Sequence, residues 1–266
     1  MASPLRATSL MSDNEGFIFL AITSYIEDQL NLRMQVVDDV DWQKREKLLD
    51  EGQIEIAWLC GLPYTLRADR PAPEIELLAA PVMAGNRYQN RPVYFSDVIV
   101  YHDSGFKTFA DLRGAAWAYN EPYSHSGYNV VRYHLATSGE KSGYFGEVVQ
   151  SGAHLASVQM VLDRRVDASA IDSIVLEIES QRRPELLSQL RVIETLGPSS
   201  VPPLVISRKV PQEIRQTIRE ALVKMDGNPS GQAALAKGRM VRLARVKDSD
   251  YDDIRYMAQK ANGVKL

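Results

Sequence analysis

The chain has 266 residues, enough for one large domain or two compact lobes with a core each. Its 45% hydrophobic and 24% charged residues are ordinary for a globular protein. The formal net charge of −3, with no run of five or more basic residues, argues against a nucleic-acid partner. A small anionic ligand stays compatible with it, because a site can be locally positive on an acidic chain. A single cysteine, Cys60, cannot form an internal disulfide, and no stretch reaches the length of a membrane span. The first eleven residues lack the basic segment and apolar run of a signal peptide, so the chain reads as cytoplasmic or as a mature form whose leader is gone.

Strand-like and helix-like segments alternate almost throughout. Strands are expected at residues 5–11, 32–37, 54–59, 77–81 and 93–101, with helices at 14–30 and 42–50 and a short one from Pro63. The rhythm continues with a short helix at 108–112, strands at 115–119, 147–150 and 168–171, and helices at 127–136, 154–162 and 173–180. Strands follow at 190–195 and 204–207. From Pro211 to Gly263 the pattern is mostly helical, broken at Gly227-Asn228-Pro229. This βαβ alternation predicts α/β architecture with parallel sheets. Residues 94–101 and the Pro-rich stretch 197–203 read as crossings between lobes. They imply a discontinuous first lobe, residues 1–95 plus 202–266, and a second lobe, 96–201. A ligand is then expected in the cleft between the two.

Three strand-to-helix turns carry the candidate chemistry. The first is Glu121-Pro122-Tyr123-Ser124-His125-Ser126-Gly127-Tyr128. The free N–H groups and positive dipole end of a helix start bind anions. Ser124 and Ser126 add hydroxyl donors, and Gly127 permits close approach. The competing reading is that a serine there merely caps the helix. The second turn, Gly152-Ala153-His154-Leu155-Ala156-Ser157, places His154 at a helix start, as an anion donor or as an ordinary core or surface histidine. In the third, Trp58, Cys60 and Tyr64 follow a strand's C-terminal end, where α/β sheets carry ligands. Core packing explains Trp58 and Tyr64 equally well, and Cys60 reads first as a small buried apolar side chain. Tyr94 beside the first crossing offers a hydroxyl, and Asp172 ends the strand 167–172 facing the expected cleft.

Enzyme signatures are missing: no GxSxG elbow, Walker loop, GxGxxG or HExxH occurs. The four histidines, His102, His125, His134 and His154, fit no common zinc spacing, so no metal or other cofactor is expected. A triad of Ser126, His154 and Asp172 can be drawn, but no spacing supports it.

These residues resemble the phosphonate-binding family of periplasmic solute-binding proteins. The similarity lies in Gly52-Gln53-Ile54-Glu55-Ile56-Ala57-Trp58-Leu59 with Gly61-Leu62-Pro63-Tyr64, and in Tyr94–Val100 with Asp111-Leu112-Arg113-Gly114. Ser124-His125-Ser126-Gly127 is similar to the family's Ser-Thr-Ser-Gly anion loop. Gly152–Ser157 with Val166-Asp167-Ala168 and Ile171-Asp172 is similar to a further block. The resemblance implies the type II binding-protein fold, two α/β lobes joined by two hinge strands. It also implies a non-enzymatic, monomeric, periplasmic component of an ABC uptake system. The ligand would be a phosphonate, phosphite or phosphate-like oxyanion, and the partner a membrane permease. Carried over by position, Tyr94, Ser124, His125, Ser126 and His154 hold the oxyanion, and Asp172 sits where the family places a carboxylate for an aminoalkyl group. His125 departs from the family's Thr, and residues 197–203 offer no second carboxylate. Two other roles fit the same fold: a ligand sensor for a histidine kinase, with arsenite at Cys60 or a small organic ligand, and a biosynthetic enzyme.

Overall fold

The computed structural model describes residues 3–266; residues 1 and 2, which open the predicted first lobe, lie outside the described residues. The chain packs as two units. One takes the chain up to Val93 and again from Ser200 to Tyr251; the other takes Tyr94–Ser199 and Asp252–Leu266.

The first unit begins β1 (Leu5–Ser9), α1 (Gly16–Leu30), β2 (Met34–Val36), α2 (Trp42–Asp50), β3 (Ile56–Trp58), α3 (Gly61–Ala68) and β4 (Ile75–Met83). The chain then enters β5 (Val93–Tyr101), β6 (Ala116–Tyr119), a π-helical turn (His125–Asn129) that runs into α4 (Val130–Thr137), β7 (Glu147–Gln150) and α5 (His154–Leu162). After these come β8 (Ala168–Asp172), α6 (Ser173–Arg182), the short α7 (Leu186–Gln189) and β9 (Leu190–Ser200). The first unit is completed by β10 (Leu204–Ser207), α8 (Gln212–Val223), α9 (Pro229–Lys237) and β11 (Met240–Ala244); α10 (Asp252–Lys260) follows. Local chemistry sets several of these limits. Asp41 accepts from the Lys44 N–H to start α2, and Asn228 caps α9 with Pro229 in its first turn.

The first sheet has the order β11-β4-β10-β3-β1-β2, with β1 parallel to β2 and β3, and β10 antiparallel to β3 and β4. The second has the order β7-β6-β8-β5-β9. In that sheet β6 is parallel to both β7 and β8, and β5 is antiparallel to β8 with Ser96 opposite Asp172. Both faces of the central strands β5, β6 and β8 of the second sheet are buried. Val98, Val100, Trp117 and Ala170 pack into one apolar layer, while Ile99, Ala118 and Ile171 pack into the other. Stretches such as Val98–Val100 and Ala116–Ala118 therefore read as continuous apolar runs rather than alternating ones.

Three expectations are corrected. Residues 252–266 belong with the second unit, not the first. Arg132 on α4 donates to the Ala261 and Val264 carbonyls, each at 2.8 Å, and Val264 is buried beside Val130, Val131 and Leu135. Residues 240–244 form β11 rather than helix, because β4 supplies an edge to pair with, a partner the local sequence does not announce. The Pro-rich stretch is strand as far as Ser200, through a cis Gly197–Pro198 peptide. β9 ends the sheet order, and an edge strand tolerates a proline that donates no hydrogen bond.

Candidate functional site

Because β6, β7 and β8 run parallel, their C-terminal ends fall along one edge of the sheet. Three turns leave from that edge: Asn120 into the π turn, Ser151-Gly152-Ala153 into α5, and Asp172 into α6. The first two are tied together. The Ser151 N–H donates to the Tyr119 carbonyl and the Gly152 N–H to the Asn120 carbonyl. Gly152 has φ +86°, the left-handed backbone that a Cβ makes strained, and this bends the chain into α5. The Ser151 hydroxyl lies 2.6 Å from that of Ser157 and donates to the Ala153 carbonyl, bracing the start of α5.

Within this frame Ser126 meets His154. Ser126 Oγ lies 3.1 Å from His154 Nε2, both residues are buried, and the Ser96 hydroxyl donates to the Ser126 carbonyl at 2.6 Å. Burial lowers the His154 pKa to about 4, so the ring is neutral at neutral pH. His154 Nδ1 is buried without a hydrogen-bond partner. A neutral histidine and a serine hold two mobile protons between them, and their mutual bond uses one. In one tautomer Nδ1–H is unspent; in the other the Ser126 O–H is. Either way the pair keeps one donor available.

Gly127 packs against this pair. A Cβ there would lie 2.0 Å from Asn120 Oδ1 and 3.2 Å from His154 Cε1, so glycine is what lets these side chains close over the helix start. Asn120 Oδ1 is itself buried without a hydrogen-bond partner.

The other predicted side chains are arranged differently. Ser124 is the helix cap: its Oγ accepts from the Gly127 N–H at 3.0 Å. His125 is spent internally. Asn129 Nδ2 donates to its Nδ1 (3.1 Å), which leaves Nε2–H to donate to Ser199 Oγ (2.9 Å). Burial holds its pKa at about 3. The Ser199 hydroxyl in turn points at Met257 Sδ, 3.8 Å away. His125 thus shapes the loop instead of presenting a donor, while Ser124 caps the turn through its oxygen and keeps its O–H as a donor. Asp172 caps α6 by accepting from the Ile174 N–H at 2.8 Å. Burial first of all, with Asp97 and Glu177 nearby adding to it, raises its pKa to about 7 against the pull of the Ile174 and Val175 N–H groups. With Asp172 in that role and Nδ1 of His154 without a partner, the triad drawn from Ser126, His154 and Asp172 does not assemble. Tyr94 is buried with its ring 6.3 Å from that of His125, whereas Tyr123 is 57% exposed on the loop.

The remaining three predicted residues lie in the first unit. Trp58 is core, with Nε1–H donating to the Pro202 carbonyl at 3.1 Å. The Tyr64 hydroxyl donates to Asp248 Oδ1 at 2.7 Å, and the ring meets Tyr251 edge-on. Cys60 is half-buried at the start of α3 and in no disulfide. For Trp58 and Tyr64 the packing alternative is the one these contacts express.

The sequence reading missed Ser96, Asn120, Asn129 and Ser199. Only Asn120, one residue past a predicted strand, carried a local signal. Among the described residues no group of His, Cys, Asp and Glu is placed to hold a metal ion. Among the described residues, those gathered around Ser126, namely Ser96, Asn120 and His154, carry no positive charge at neutral pH.

Two α/β units, each built on its own mixed sheet, define the type II periplasmic binding protein fold. The family model described as "ABC transporter, phosphonate, periplasmic substrate-binding protein" matches residues 18–251, and the chain belongs to that family. Solved structures agree on the fold. A binding-protein component of an ABC phosphonate transporter from Pseudomonas aeruginosa superposes with a TM-score of 0.83 at 19% identity, over 98% of this chain and 87% of that one. PhnD1 from Prochlorococcus marinus, in complex with methylphosphonate, gives 0.83 at 16% identity over 98% of both chains. A Xanthomonas citri protein bound to ATP gives 0.75 at 14% identity, over 98% of this chain and 97% of that one. The family is one of substrate-binding proteins rather than enzymes, and its members are periplasmic partners of ABC permeases. A solute-binding role follows for this chain. Among the described residues no helix is long and apolar enough to cross a membrane.

Proposed function

We propose that this protein is the solute-binding component of an ABC uptake system and that it holds a small phosphorus oxyanion at the edge of the second sheet. The oxyanion would be a phosphonate, phosphite or phosphate. The observation that carries this reading is the Ser126–His154 pair: a buried, neutral couple that keeps one donor unspent, set where two helices begin. The first N–H groups of a helix have no intrahelical acceptor and face an anion with the positive end of the dipole. Donors of this kind bind a charged oxygen without a formal counter-charge. Burial favours the protonated form of Asp172, which reduces its repulsion of an anion.

No chemical step is required, and the permease would receive the loaded protein. The test is a thermal-shift and calorimetric titration of the ligand-stripped protein with methylphosphonate, phosphite and phosphate. A ligand that binds only the folded state must raise the melting temperature. Ser126→Ala and His154→Ala each dismantle the pair that holds the single unspent donor in place, and loss of a hydrogen bond to a charged group, about 1.5–3 kcal/mol, weakens binding about 10- to 100-fold. No response of the wild type to any of the three anions, or unchanged affinity in both variants, overturns the reading.

A further inference from the structure

The first unit carries a second pocket, of about 800 Å³, that the oxyanion site does not use. It lies where β4 begins, bounded by α3, α8 and the loop after β11. Its lining has an apolar part, Pro73, Ile75, Leu77 and Val246, and a basic part, Arg208, Arg219, Arg245 and Lys247.

The basic lining is partly rigid. Arg219 donates twice to the Leu77 carbonyl, from Nε at 3.2 Å and Nη2 at 2.7 Å, and Nη2 also reaches Glu76 Oε1 at 2.7 Å. Arg208 Nε donates to the Ile75 carbonyl at 3.2 Å. Arg215 completes the group by pairing with Glu76. Three guanidinium groups therefore share the one carboxylate of Glu76. The other carboxylates lining the pocket are engaged too: Asp248 accepts from Tyr64, and Asp250 from the Lys247 N–H. Arg245 and Lys247 are exposed, and among the described residues neither side chain has an ion pair or hydrogen bond. Four cationic side chains, Arg208, Arg219, Arg245 and Lys247, against three carboxylates, Glu76, Asp248 and Asp250, leave the lining an excess of one positive charge, or two with Arg215, on a chain whose formal net charge is −3.

We propose that this pocket is a second binding site, for a small anion that carries at least two negative charges and an apolar or aromatic body. The fixed guanidiniums would take one end of its charge and the unpaired Arg245 and Lys247 the other, with the body against Ile75, Leu77 and Val246. The volume is that of an ordinary small-molecule site. A lone inorganic ion would leave the apolar wall in water.

The probe is naphthyl phosphate, a dianion with an aromatic body, titrated into the full chain by calorimetry at several salt concentrations. Wild type should bind it, with affinity falling as salt rises. The double variant Arg245→Glu, Lys247→Glu should weaken that binding by about tenfold or more, while His154→Ala leaves it unchanged. The proposal is overturned if wild type does not respond at millimolar probe. It is equally overturned if His154→Ala abolishes binding and the double variant does not, which would place the probe at the oxyanion site. Capture of an oligoglutamate peptide without any response to naphthyl phosphate would make this a protein-docking face instead. Phosphonate binding read in the same variants reports on the oxyanion site separately, so either reading can fail alone.

Discussion

Gly127→Ala separates packing from helix propensity. Gly127 lies in the π turn without a positive φ, so its backbone suits alanine. On propensity alone the change should stabilise by about 1 kcal/mol. Against that, the new methyl would sit 2.0 Å from Asn120 Oδ1 and 2.9 Å from its Cγ, and overpacking a filled site costs about 1–3 kcal/mol. We expect the clash to win, with a net loss of up to about 2 kcal/mol and weaker oxyanion binding as Asn120 and His154 are pushed away. In an Asn120→Ala background the amide is gone, and the contact that remains, 3.2 Å to His154 Cε1, is tight but tolerable. There the same Gly127→Ala change should become neutral or stabilising. Because Asn120 Oδ1 has no hydrogen-bond partner, the background variant loses no bond at that atom. Urea unfolding would be followed by fluorescence, with Trp117 in the core of the second unit and Trp58 in the first. Additive costs in the double variant, or a Gly127→Ala protein as stable as wild type, would refute this account of the glycine.

Acid titration should reveal the buried groups. His125 and His154 have folded pKa values of about 3 and about 4 against an ordinary 6.5, so their contribution is intact above about 6.5 and is lost as pH falls. Each should cost about 2 kcal/mol by about pH 5. Asp172 works in the opposite sense: its raised pKa, about 7, means that protonation on the way down favours the folded state, offsetting about 2–3 kcal/mol. The wild-type loss between about pH 8 and pH 5 should therefore be shallow, and Asp172→Asn should make it steeper; equal slopes in denaturant titrations would contradict this. Arg132→Met removes two hydrogen bonds to the Ala261 and Val264 carbonyls and should cost about 2–3 kcal/mol. It should also raise amide exchange across α10, and unchanged exchange there would show that the arginine does not anchor this segment. Trp58→Phe deletes the donor to the Pro202 carbonyl and should lower stability by about 1–3 kcal/mol without changing oxyanion affinity; a loss of affinity would return Trp58 to the ligand.

The alternation of apolar runs with amphipathic segments determined the α/β class by itself, since period and turn residues are local properties. It also marked the Ser124–Gly127 and Gly152–Ser157 turns as helix starts, because serine and glycine at those points have a local backbone reason. What the sequence did not hold was the spending of each polar side chain. Ser124, Ser126, His125 and His154 look alike as donors along the chain. Only β6, β7 and β8 running side by side decide that His154 meets Ser126, while Ser199, 74 residues from His125, consumes the other ring. The same holds for β11, which exists because β4 has an edge to cover, and for residues 252–266, which follow Arg132 into the second unit. Hydrogen-bond partners and strand neighbours are set by long-range packing. A residue's chemistry is written in the chain, but whether that chemistry remains available is decided by the fold.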